Sequence, residues 1–331
     1  MGRTLRRFTV PLLALGLLLV LQPNAWAGDL DRARLGAAYL ASQQLPDGSI
    51  PAFSPIGSTA DAVLGFVASG AGRQNMNLAL GYLQSQVTAG TVNTLGLRSK
   101  VVLALVAGGR DPRHIGGHDL VNEIRSTLGQ DGRYGDDPVL DDALAVLAVD
   151  AAVGHQPVEA STWLIDAQCP DGGWAFDEPY DPAIDDIHCH SGPSDFFDSD
   201  SNTTSYVVQA LEATRLPAFQ VSPFGFFKTV RDPAHGGWGY SLSFVATDAN
   251  STSLVIQAYT AGGVPVPAGG MSALRALQDQ GCGAWSYSWE GNDPGPPDIG
   301  ATIAAVPAVV RATLPVDPGP VSEQLPAIGD C

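Results

Sequence analysis

Apolar positions along the chain fall into two alternating helical patterns separated by short polar turns. One pattern is amphipathic. Leu78-x-x-x-Tyr82-Leu83 and residues 158–167 are apolar at i, i+3 and i+4, as a helix with one buried face requires. The other is apolar almost all round and recurs at 60–68, 93–107, 141–149, 203–213, 252–261 and 299–311. A helix with no polar face belongs inside a fold, so these six segments are predicted to form an inner layer and the amphipathic ones an outer layer.

The turns between the two patterns are copies of one another. Gln44-Leu45-Pro46-Asp47-Gly48, Gln130-Asp131-Gly132-Arg133-Tyr134 and Gln168-Cys169-Pro170-Asp171-Gly172-Gly173-Trp174 share the form Q-x-x-D-G-G-W-x-[FY]. So do Asp232-Pro233-Ala234-His235-Gly236-Gly237-Trp238 and Gln280-Gly281-Cys282-Gly283-Ala284-Trp285. Asp47 and Asp131 lie twice as far apart as Asp131 and Asp171, which predicts a worn copy near 89–92. Six helical hairpins result. None can bury its apolar face alone, so stacking them must supply the core. Within each turn, glycine pairs such as Gly172-Gly173 permit backbone angles closed to other residues. Gln168 can bond exposed helix ends, and the Trp ring can cover the junction to the next hairpin.

These turns, set between paired helices, resemble the prenyltransferase and squalene-cyclase repeat. The resemblance covers about 30–314 and implies an all-α fold, an α/α toroid with inner and outer helix rings around a central funnel. Before it, residues 1–7 carry three arginines and no acid, 8–21 are mostly apolar, and Ala25-Trp26-Ala27 places small residues at −3 and −1. That is the form of a secretory signal cleaved after Ala27, too short for a membrane anchor. The domain expectation is therefore a leader at 1–27, a toroid at 28–314 and a Pro-rich tail at 315–331, with a secreted bacterial product.

Export changes how the four cysteines read, and two disulfides are expected, Cys169–Cys189 and Cys282–Cys331. A net charge of −17, with Lys100 and Lys228 the only two lysines, argues against nucleic acid and against an anionic membrane surface.

The resemblance invites a test for alkene protonation, the work of a D-x-D-D-T-A acid in class II terpene cyclases. Asp198 and Asp200 look superficially similar. However, Asp200-Ser201-Asn202-Thr203-Thr204-Ser205 also aligns with Asp248-Ala249-Asn250-Ser251-Thr252-Ser253, and in that register Asn202 and Thr203 stand where the acids belong. The recurrence reads as capping of inner-helix N-termini by Asp200, Asn202, Asp248 and Asn250. Asp136, Asp137, Asp141 and Asp142 form another acidic group, suited to a helix dipole. Asp186, His188 and His190 are the residue types of a zinc site, although their spacing does not match the prenyltransferase ligands. Gly281-Cys282-Gly283 lacks the Glu-Gln of a thioester. Asn202 and Asn250 head formal glycosylation sequons, and Leu325–Gly329 only partly resembles a sortase signal.

No cofactor is expected. The leading expectation is a secreted protein that holds a hydrophobic small molecule, or an extracellular protein partner, in the funnel without cyclase activity. The alternatives are a terpene cyclase or lyase-like enzyme using Asp198 and Asp200 with Asp136, Asp137 or His188, for which Asp136, Asp137, Asn202, Asp248 and Asn250 are the candidate binding residues, and a cobalamin-type carrier.

Overall fold

The computed structural model describes residues 25–135, 138–155, 157–176, 198–215 and 219–331. Of the expected leader at 1–27, residues 1–24 lie outside these and 25–27 begin the first helix; Asp136, Asp137, Asp186, His188, Cys189 and His190 also lie outside.

Helices follow one another in outer–inner pairs. The first three are α1 (Ala25–Gln43) with α2 (Pro55–Ser69), α3 (Arg73–Thr88) with α4 (Leu95–Ala107), and α5 (Leu120–Arg125) with α6 (Val139–Val153). The rest are α7 (Val158–Asp166) with α8 (Ser201–Ala213), α9 (Pro223–Thr229) with α10 (Ala249–Ala261), and α11 (Gly270–Ala276) with α12 (Ile299–Val309). The worn turn predicted near 89–92 joins α3 to α4. Each even-numbered helix packs against the next, and α12 packs back against α2, so the inner ring closes. Its members are buried nearly all round, as their composition requires: α6, for example, buries Ala143 through Val149 without a break.

The turns explain their own sequence. In three of them the Trp backbone N–H donates to a threonine one turn into the inner helix: Trp174 to Thr204 Oγ1 (2.9 Å), Trp238 to Thr252 Oγ1 (3.0 Å) and Trp285 to Thr302 Oγ1 (2.8 Å). Each indole Nε1 donates to a carbonyl of its own outer helix, Leu164 O, Phe227 O and Leu274 O, at 2.7–2.9 Å. The ring therefore fills the hairpin junction with its polar atom satisfied. In the third hairpin Tyr134 takes the Trp position, and its N–H donates to buried Asp142 at 2.6 Å.

In the first and fourth turns the glutamine ties the turn to the following hairpin. Gln44 Nε2 donates to Gly48 O and to Asn75 O, and Gln168 Nε2 donates to Gly172 O and to Val221 O. Two turns differ from the sequence register. Arg231 does the glutamine's work in the fifth hairpin, donating to Gly236 O and Ala268 O. In the sixth it is Gln278, not Gln280, that donates to Gly283 O and, across the ring closure, to Arg32 O in α1. Gly172 and Gly283 need their left-handed φ of 93° and 83°, and a Cβ on Gly283 would also strike the backbone of Leu35.

Beyond α12 the chain forms no further helix. Leu314 and Val316 are buried, Ser322 bridges to Ala71 beside α2, and Cys331 closes a disulfide with Cys282. The tail thus crosses the structure and is fastened at its end.

Candidate functional site: the central cavity

The inner ring is not filled by its own side chains. It leaves a cavity of about 420 Å³, the size range of small-molecule sites. Residues at or near the starts of inner helices line its upper part: Ser54 and Gly57 of α2, Asn202 and Thr203 of α8, Asn250 of α10 and Gly300 of α12. Deeper in, the wall is apolar, with Leu64, Leu254, Ile303 and Pro307.

The floor comes from the tail. Leu314 and Val316 line the cavity, and two inner-helix glutamines hold that stretch in place. Gln209 Oε1 accepts from the Leu314 N–H at 2.9 Å, and Gln257 Nε2 donates to Ala312 O at 2.8 Å. These are Gln209 and Gln257 of the repeated Gln-Ala pairs in α8 and α10. A backbone segment with no helical partners needs such acceptors and donors if it is to cross a buried space.

One ion pair stands in the wall. Lys100 Nζ lies 2.6 Å from Asp61 Oδ2, joining α4 to α2. Burial works to lower the Lys100 pKa, but Asp61, reinforced by Tyr206 and Asp141, outweighs it and raises the pKa. Lys100 therefore stays charged and paired. Lys100, one of two lysines in the chain, sits beside Arg98 in an inner helix that is otherwise mostly apolar, and its rarity is the one sequence feature that marks it.

Asp200 caps α8. Its Oδ1 accepts from the N–H groups of Asn202 (2.8 Å) and Thr203 (2.7 Å). Desolvation raises its pKa to about 7, against the opposing pull of the Thr203 and Asn202 N–H groups and the hydroxyls of Thr203 and Tyr240. Its Oδ2 is sealed from solvent and makes no well-formed hydrogen bond. Asp248 caps α10 through Ser251 N–H at 2.7 Å, and burial raises its pKa to about 6. Asp298 caps α12 through Ala301 N–H at 2.6 Å.

The repeated motif thus splits into two roles. The aspartates Asp200 and Asp248 cap, and Asp200 also borders the cavity. Asn202 and Asn250, which the sequence pattern also offered as caps, sit in the first turns of α8 and α10 and line the cavity instead. Asp198 is half-buried two residues before the cap and does not line the cavity. Asp141 and Asp142 lie in the first turn of α6. Among the described residues no cluster of three His, Cys, Asp or Glu side chains is placed to hold a metal. No helix among them is long and apolar enough to cross a membrane.

No family model matches the chain, and no curated protein matches it. Solved structures do resemble it. The type II terpene cyclase MstE from Scytonema superposes with a TM-score of 0.53 at 13% identity, over 87% of this chain and 98% of that one. A complex of a variant of that cyclase with its substrate geranylgeranyl dihydroxybenzoate gives 0.50 at 13% identity, over 86% and 98%. An inactive aspartate-to-asparagine variant of the alpha-1,6-mannanase GH76A of Salegentibacter sp. HEL1_6, bound to alpha-1,6-mannotriose, gives 0.52 at 10% identity, over 86% and 98%.

The chain is an α/α toroid.

Likeness at this identity fixes the toroid fold and leaves the chemistry to the site, since the two kinds of neighbour act on unrelated compounds. The cavity itself is marked by the tail-built floor and, among the described residues, by the charge-balanced Lys100–Asp61 pair in its wall.

Proposed function

We propose that this toroid is an exported binding protein that holds a small, largely apolar molecule in its central cavity and does not transform it. The observation that carries the reading is the placement of Asp200 as the cap of α8. Protonating an alkene needs a carboxylic acid that is strongly acidic and open to the substrate. Asp200 borders the cavity, but it is 1% exposed, has one oxygen committed to two backbone N–H groups, and is made a weaker acid than a free carboxyl by burial. Asn202, two residues on, supplies no second acid, and Asp198 stands outside the cavity lining.

The cavity itself supports binding. Its apolar depth gains from removing hydrocarbon from water, and its floor is closed by Leu314 and Val316. About 420 Å³ corresponds to roughly fourteen water-sized volumes, enough for a compact lipid alcohol or a terpenoid of moderate length. The leader pattern and the Cys282–Cys331 disulfide support export.

Incubation with labelled farnesol tests the reading. The expected result is retention on the protein, recovery of unchanged farnesol on extraction, and loss of retention in Leu254→Trp, which fills the cavity. A cyclised product that disappears in Asp200→Asn would overturn it in favour of catalysis.

A further inference from the structure

We infer that the polar end of the bound molecule is an uncharged hydroxyl-type group, one that donates as well as accepts, rather than a phosphate, carboxylate or ammonium. This rests on the binding reading above and names the chemical class of the ligand.

Three helix N-termini, those of α8, α10 and α12, sit at the upper part of the cavity. Free helix N-termini would attract an anion. Here each is already occupied by the protein's own carboxylate: Asp200 Oδ1 accepts from Asn202 and Thr203, Asp248 Oδ1 from Ser251, and Asp298 Oδ1 from Ala301. The fourth, at α2, is capped by Ser54 Oγ, which accepts from the Gly57 N–H. At α6, whose Leu140 also lines the cavity, no side chain caps the N-terminus, but Asp141 and Asp142 place two carboxyls in its first turn. The helix N-termini around the cavity are thus already faced by the protein's own acids and hydroxyl.

The side chains lead to the same result. Lys100 is the only Lys or Arg in the described cavity lining, and Asp61 neutralises it at 2.6 Å. An anionic head would have to displace Asp61, and a cationic head would meet Lys100, while Asp200, the other carboxyl bordering the cavity, is sealed from solvent and pushed toward its neutral form by burial. Either buries an unpaired charge, which is costly. Long-range attraction does not favour an anion either, because the chain carries −17.

What the wall does offer is neutral. Asn202, Thr203, Tyr206, Tyr240 and Asn250 bring amides and hydroxyls to the lining. Asn250 Oδ1 is buried and accepts no hydrogen bond. A buried acceptor without a donor is unfavourable, and a ligand hydroxyl supplies one. Deprotonated phosphate and carboxylate heads have no proton to give it.

Equilibrium dialysis of the full oxidised chain against dodecan-1-ol, dodecanoate, dodecyl phosphate and dodecylammonium at equal ionic strength isolates the head group, since the hydrocarbon is constant. The alcohol is expected to bind about tenfold or more tighter than each charged analogue, the scale set by burying an unpaired charge. Asn250→Leu is expected to weaken the alcohol about fivefold and to leave dodecane unaffected, as loss of one hydrogen bond predicts. Equal or tighter binding of any charged analogue, abolished by Leu254→Trp, would overturn the head-group assignment and leave the binding reading standing. Absence of binding by all four, or binding unaffected by Leu254→Trp, would overturn the binding reading and this inference with it.

Discussion

Asp29 and Arg275 meet across the seam of the ring. The guanidinium donates twice to the carboxylate, Nε to Oδ1 at 2.7 Å and Nη2 to Oδ2 at 2.6 Å, although 246 positions separate them. The pair joins the start of α1 to the end of α11 beside the Gln278–Arg32 bond. Repeat stacks are held by neighbour interfaces, and here the first and last units are neighbours. Asp29→Ala is expected to lower stability by about 1–3 kcal/mol, the range for a partly buried bidentate pair that loses one partner. A double-mutant cycle with Arg275→Ala, read by thermal unfolding, should return most of that as coupling between the two.

The threonines beneath the tryptophans give a second expectation. Thr204→Val, Thr252→Val and Thr302→Val each strand one buried Trp N–H. Each should cost about 1–3 kcal/mol, and the three should agree closely because the contact is the same. Denaturant unfolding measures this, and widely unequal values would mean that the hairpins are not equivalent units.

The pH dependence of stability follows from Asp200. Its folded pKa of about 7 lies above the ordinary 3.8. Below pH 4 both folded and unfolded states hold the proton and burial carries no ionisation cost. Between pH 4 and 7 the unfolded chain loses the proton and the folded chain keeps it, so stability falls as pH rises, and the loss is complete above 7. Asp248, at about 6, contributes in the same direction. Asp200→Asn keeps a capping oxygen and removes the titration. Its stability relative to the native chain should improve by up to a few kcal/mol from pH 4 to pH 8. Parallel urea unfolding curves at the two pH values would show it, and a constant difference would contradict the buried, neutral assignment.

Much of this was legible in the chain. Six all-apolar segments at hairpin spacing specified the inner ring, and the D-G-G-W turns specified where each hairpin bends, because both are local patterns. Non-local features were not. Arg231 replacing a glutamine, Gln278 acting in place of Gln280, and residues 312–316 running under the ring depend on contacts that only closure creates. The capping motif offers four residues alike, of which Asp200 and Asp248 cap while Asn202 and Asn250 sit two places on and line the cavity. Helix position alone separates the residue that caps from the one two places on, which faces the cavity. Lys100 was overlooked because a charge in an apolar run makes sense only once Asp61 is seen opposite.

The floor gives a further expectation. Gln209→Ala removes the acceptor of the Leu314 N–H, and Gln257→Ala the donor to Ala312 O. Each should speed hydrogen exchange of the 312–316 segment by about tenfold, the equivalent of roughly 1.4 kcal/mol per bond. Cys331→Ser releases the far end of the tail from Cys282 and should lower stability by about 2–4 kcal/mol. A tail that exchanges no faster in any of the three variants would not be the floor described here.

Native mass spectrometry of the chain, purified gently from an oxidising host and compared with Leu254→Trp, tests the central claim most directly. A bound apolar mass on the native chain, absent from the variant and recovered unchanged by solvent extraction, is the predicted result. A native chain that stays bare after exposure to lipid extract, or a mass that Leu254→Trp retains, would contradict a ligand in the toroid cavity.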